Sequence, residues 1–169
     1  RDDEPALISI SLSPNSIAED AVANLVYTLT RFGSVSSPLT VNFNVGGTAT
    51  YGVDYIPLGA ASFSSTSGSV TFAAGSNTAT VSLDPSADNT VEGDETVSLT
   101  VVAGSGYLPP SSGPLTGLIN NDDPAHDLPL GQSIPGPITE RLAELTRRRG
   151  VYLAIGILER EGDVLYDSA

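Results

Sequence analysis

Cysteine is absent from this 169-residue chain, as are Met, Trp and Lys, and His occurs once. Without Cys there are no disulfide staples, thiolate metal sites or cysteine nucleophiles. Aromatic residues make up only 6% of the chain, so a core has to be built mainly from Val, Leu, Ile and Ala. All seven cations are Arg, set against 20 Asp and Glu, for a formal net charge of -13. The imbalance is uneven: residues 1–125 carry thirteen acids and two Arg (net -11), and residues 126–169 carry seven acids and five Arg (net -2). So acidic a first segment repels nucleic acid and anionic membrane surfaces, which need clustered Lys or Arg, and it attracts divalent cations. No apolar run reaches 18 residues, so no membrane-inserted helix is expected. The chain opens at Arg1 with neither Met nor a signal-like apolar stretch, which reads as a piece of a longer polypeptide.

Up to about residue 120 the dominant pattern is period-2 alternation interrupted by Gly, Pro, Ser and Asn. Leu25, Tyr27 and Leu29 alternate with Val26, Thr28 and Thr30; Val41, Phe43 and Val45 alternate with Asn42 and Asn44. Runs at 7–12, 70–72, 79–83, 97–101 and 115–119 bring the expected number of strands to about seven, with sandwich-like spacing. The expected fold class is all-β, an antiparallel immunoglobulin-like β-sandwich followed by a short C-terminal helix–strand α/β fragment. The domain reading is 1–5 as the end of a preceding repeat or linker, 6–124 as the sandwich, 125–137 as a Pro/Gly-rich linker and 138–169 as the fragment.

Four acidic patches fall at predicted strand ends: Glu19-Asp20, Asp54, residues 88–95 and Asp122-Asp123. Calcium takes six to eight hard oxygen ligands, so several carboxylates must converge from different loops. Acidic turns also arise because Asp and Asn suit turn geometry, as at Asp84-Pro85. On composition and spacing alone the two readings stay equally open, and the pattern does not establish that all four patches share one end.

Five motifs in order then point to a family. Gly47-Thr48-Ala49-Thr50-Tyr51-Gly52-Val53-Asp54-Tyr55 resembles the GTA-x-x-G-x-DY signature of Calx-beta domains, which are calcium-binding sandwiches. Ser16-Ile17-Ala18-Glu19-Asp20 resembles the family's early acidic turn, and Gly68-Ser69-Val70-Thr71-Phe72-Ala73-Ala74-Gly75 its G-x-[LV]-x-F-x-x-G segment. Val91-Glu92-Gly93-Asp94-Glu95-Thr96 and Ile119-Asn120-Asn121-Asp122-Asp123 resemble its later acidic turn and closing motif. The resemblance implies Ca2+ as cofactor and Glu19, Asp54, Asp88, Glu92, Glu95, Asp122 and Asp123 as metal ligands. Ala87 and Asn121 stand where calcium-rich members carry further Asp, which implies fewer ions or weaker binding. Gly47 and Gly52 read as turn positions needing special backbone angles, and Tyr55 as core packing. Asp2-Asp3-Glu4-Pro5-Ala6 echoes Asp122-Asp123-Pro124-Ala125, as if a preceding repeat closed there. Neighbouring repeats are therefore the expected partners, in an extracellular or cell-surface setting.

After Asp123 the character changes. Residues 124–137 are rich in Pro and Gly. Ile138, Leu142 and Leu145 then recur at helical spacing between Pro137 and Gly150, with Arg147, Arg148 and Arg149 where a helix dipole favours cations. Residues 151–158 form an unbroken apolar run, expected as a strand buried on both faces of a parallel sheet. Ile134-Pro135-Gly136-Pro137-Ile138-Thr139 and Gly150-Val151-Tyr152-Leu153 through Glu159-Arg160 resemble nitrilase-type carbon–nitrogen hydrolases. That family works through a Glu, a Lys and a Cys; this chain has neither Lys nor Cys. Glu159 belongs to the strand motif, and an acid without its nucleophile supplies no covalent chemistry. His126 lies in the Pro-rich bridge with no triad partner. The expectation is a calcium-binding structural or adhesive repeat with no enzyme activity. The alternatives are a metal-free sandwich repeat and a non-functional part of a carbon–nitrogen hydrolase.

Overall fold

The computed structural model describes residues 4–87, 93–120, 137–149, 157–161 and 164–168. These fall into two units, a β-sandwich and a small C-terminal unit.

In the sandwich, alternation places every second side chain inward. In β3 (Leu25–Phe32), Leu25, Tyr27, Leu29 and Arg31 are buried while the residues between them are not. In β4 (Leu39–Gly47) and β9 (Glu95–Val101), Val41, Phe43, Val97, Leu99 and Val101 do the same. The remaining long strands are β1 (Ala6–Leu12), β7 (Ser67–Phe72), β8 (Thr78–Pro85) and β11 (Leu115–Asn120). These seven coincide with the seven runs legible in the sequence. Four short strands complete the set: β2 (Ser16–Ala18), β5 (Tyr55–Leu58), β6 (Ser62–Phe63) and β10 (Tyr107–Leu108). One sheet has the order β10-β1-β3-β8-β5 and the other β2-β11-β9-β4-β7-β6.

The pairing is antiparallel except at two edges. β10 runs parallel to β1, and β2 parallel to β11. The second exception follows from β1 and β2 being nearly one strand: the chain leaves the first sheet after Leu12 and joins the second at Ser16. Tyr27 ties the sheets together, its hydroxyl donating to Val97 O at 2.7 Å across the core. Gly117 makes room for it, because a Cβ there would lie 2.8 Å from Leu25 Cδ1 and 3.1 Å from the Tyr27 hydroxyl.

The C-terminal unit contains helix α1 (Pro137–Arg149) and a hairpin of β12 (Ile157–Glu161) with β13 (Val164–Ser168). Pro137 opens the helix, and the three arginines close it as the sequence implied. β12 and β13 pair antiparallel, with Glu161 opposite Val164, and β12 shares only Ile157 and Leu158 with the apolar run expected as a strand. Residues 151–156 of the apolar run lie outside the described residues.

Candidate metal site at the acidic pole

Strand registers decide where the acidic loops go. Ala18 at the end of β2 lies beside Asn120 at the end of β11, and the next N–H, of Glu19, donates to Asn120 O at 3.0 Å. On the other side of β11, Ile119 faces Glu95, the first residue of β9. The start of β9 in turn meets the end of β4: Gly47 pairs with Val97, and the N–H groups of Thr48 and Ala49 both donate to Thr96 O. Beyond β4 a tight turn reaches Asp54, whose N–H donates to Thr50 O at 3.0 Å. Tyr55 then opens β5 against Pro85 at the end of β8, and Ser86 N–H donates to Asp54 O at 2.9 Å. An unbroken chain of backbone contacts therefore joins the ends of β2, β11, β9, β4, β5 and β8 at one pole. The strand walls contribute little charge: outward positions such as Thr40, Asn42, Asn44, Thr71 and Thr116 are neutral.

Of the seven expected ligands, three lie among the described residues. Glu19 and Asp54 are each only 7% exposed, and Glu95 is half-buried. Asp88, Glu92, Asp122 and Asp123 lie outside the described residues. In sequence, Asp88 follows Ser86 by two positions and Asp122 follows Asn120 by two. Among the described residues, no three His, Asp or Glu side chains gather closely enough to hold a metal.

Asp54 bears on whether a hard cation suits this pole. Its Oδ2 accepts the Thr50 N–H, which fixes the carboxylate, while Oδ1 accepts no hydrogen bond from any described residue. A carboxylate so deeply buried, with one oxygen unbonded by the described residues and no described cation beside it, has the donor chemistry of a calcium ligand. Its charge is felt nearby. Burial first, then the Asp54 carboxylate, then Tyr51 push the Tyr55 hydroxyl up to about 12. Tyr55 itself is 1% exposed and packs on Tyr51 and Phe63, as a core residue should.

Gly47 shows why the GTA turn needs glycine. Its φ is +118°, and a Cβ would lie 2.0 Å from Thr96 O, the acceptor that organises the turn. Gly52 also has positive φ, at 81°. Arg31 was not singled out by sequence. Its signal was parity: it occupies an inward position in the series Leu25, Tyr27, Leu29, Arg31, and it is 3% exposed.

Solved structures with a similar architecture include domains of Calx. The apo-form Calx CBD1 domain matches with a TM-score of 0.52 and 19% identity, covering 71% of this chain and all of that one. CBD12 of CALX1.2 matches with a TM-score of 0.51 and 20% identity, covering 69% of this chain and 45% of that one. The calcium binding domain CBD12 of CALX1.1 matches with a TM-score of 0.51 and 19% identity, covering 68% and 45%. This chain thus spans under half of the CBD12 structures. At such identities the likeness establishes a Calx-beta-like fold. No curated protein matches the sequence. The carbon–nitrogen hydrolase family matches residues 102–169, less than half of the chain. Its first part falls on β10 and β11, which are paired within the sandwich. Only the remainder concerns the C-terminal unit.

Proposed function

We propose that the sandwich is a calcium-binding module and that its acidic pole is the site. The observation that carries this is Asp54, a buried, fixed carboxylate whose Oδ1 accepts no hydrogen bond from the described residues, at the pole where the described Glu19 and Glu95 also lie. Asp88, Glu92, Asp122 and Asp123 complete the proposed ligand set. Bound calcium would neutralise these acids and tie together loops that otherwise repel one another. A solved structure named as the calcium binding domain CBD12 of CALX1.1 shares this fold, which supports the reading. We further infer a non-catalytic role as a repeat in a surface or secreted protein, with neighbouring repeats as partners. The repeated acidic-Pro-Ala sequence at the two ends of the sandwich and the absence of Cys and Lys favour that role.

The test is a thermal melt of the chain in EDTA and in calcium. Calcium binding only the folded state at about 100 times its Kd adds about 2.7 kcal/mol. For a domain of this size that raises the midpoint by roughly 10 °C. A midpoint unchanged across millimolar calcium favours the second reading, a metal-free structural sandwich. What speaks for that reading is the lack of a three-carboxylate group among the described residues.

A further inference from the structure

The opposite pole of the sandwich has different chemistry. Arg31 is the one cation among the described residues of the sandwich, and it is 97% buried, being 3% exposed. Its guanidinium lies over the Phe72 ring, 5.4 Å from the centroid. Of its five N–H donors, Nε donates to Ser76 O at 2.9 Å and Nη1 to Ser37 O at 2.9 Å. Nη2 donates to Val35 O at 3.1 Å and Ala73 O at 3.2 Å. One Nη1 hydrogen therefore has no acceptor among the described residues, and no described carboxylate pairs with the group. Carbonyl dipoles solvate a cation without cancelling its charge, and buried charges are ordinarily paired.

Arg31 also lines a cavity of about 240 Å³, together with Glu4, Ser34, Ser36, Ser37 and Gly106. Ser34 Oγ and Ser36 Oγ are 3.0 Å apart and exposed, so both hydroxyls can rotate to donate to a ligand. The remaining Nη1 hydrogen and the serine hydroxyls can together serve the two oxygens of a carboxylate, and a hydrogen bond between two charged groups is stronger than a neutral one. Glu4 at the wall and the chain's charge of -13 work against a dianion. We propose that this cavity is a binding site for a small monocarboxylate, held between Arg31 and the serine hydroxyls. The site is independent of the acidic pole and needs no calcium.

Amide chemical shifts of the full chain test this, recorded in EDTA while acetate replaces chloride at constant ionic strength. Saturable shifts are expected at residues 35–37 and 73–77. Ser36→Glu, which supplies its own carboxylate at an exposed position, abolishes them. Glu4→Gln removes the competing charge and tightens the midpoint severalfold. Shifts that fail to saturate, or that persist in Ser36→Glu with the same midpoint, overturn the site. A midpoint unmoved by Glu4→Gln, or phosphate binding tighter than acetate, overturns the monocarboxylate assignment. Because calcium is absent throughout, the outcome is separate from that of the calcium titration.

Discussion

Arg31 and Asp54 are buried charges with opposite consequences. Arg31 holds the turn after β3 through Val35 O and Ser37 O, and the turn after β7 through Ala73 O and Ser76 O. Those turns belong to strands of both sheets, so one planar fork fastens the sandwich at that pole. A Lys keeps the charge but cannot satisfy four carbonyls laid out for a fork. Arg31→Lys should cost about 2 kcal/mol in urea unfolding, since hydrogen bonds to charged groups are worth about that much each and a Lys recovers some of them. An unchanged midpoint would deny Arg31 this role. Tyr55 gives a pH prediction. Its folded pKa, about 12, exceeds its unfolded value of 10.0. The stability it contributes is thus complete below pH 10 and is lost as pH rises from there toward 12. Tyr27 shifts the same way, chiefly through burial. Tyr55→Phe should flatten the fall in stability between those pH values, measured by denaturant titration at each pH. An identical slope would show that Tyr55 does not titrate on unfolding. The sequence displayed Arg31 at a core parity without revealing its partners, because the four carbonyls come from loops that only the fold brings together.

Among the elements, long strands were legible and short ones were not. Runs such as those of β3 and β4 show a period because one face is buried over several residues. β2, β5, β6 and β10 have four residues or fewer, too few for a period, and exist because a neighbouring strand offers its edge. In the segment 16–20, β2 occupies the first three residues and the acidic turn is Glu19-Asp20, closed by the Ala21 N–H donating to Ala18 O at 3.1 Å. Likewise, the acidic patches were visible, but the pole shared by Glu19, Asp54 and Glu95 was not; the pairings of β2, β9 and β4 bring these three to it. The turn at the end of β4 is the element on which Asp54 depends. Gly47→Ala combines a positive φ with a Cβ 2.0 Å from Thr96 O, so the backbone must move. The expected loss is about 3 kcal/mol in urea unfolding, in line with backbone strain plus a steric clash. A loss below about 1 kcal/mol, the size of an ordinary substitution, would mean that the turn is adaptable.

At the scale of the molecule, charge is sorted by position. The sandwich walls carry Ser, Thr and Asn, while Glu19, Asp54 and Glu95 sit at one pole and the buried Arg31 at the other. Such sorting is costly without a counter-charge, because clustered carboxylates repel and lower the stability of the compact state. The central claim is the proposal that calcium binds at the acidic pole, where it would remove that cost. Its most direct test is isothermal titration of the chain with calcium, repeated with Glu92→Ala. The account predicts saturable binding in the parent chain and weaker binding or lower stoichiometry in Glu92→Ala. Absence of binding in the parent, or the same heat and stoichiometry in both, would contradict it.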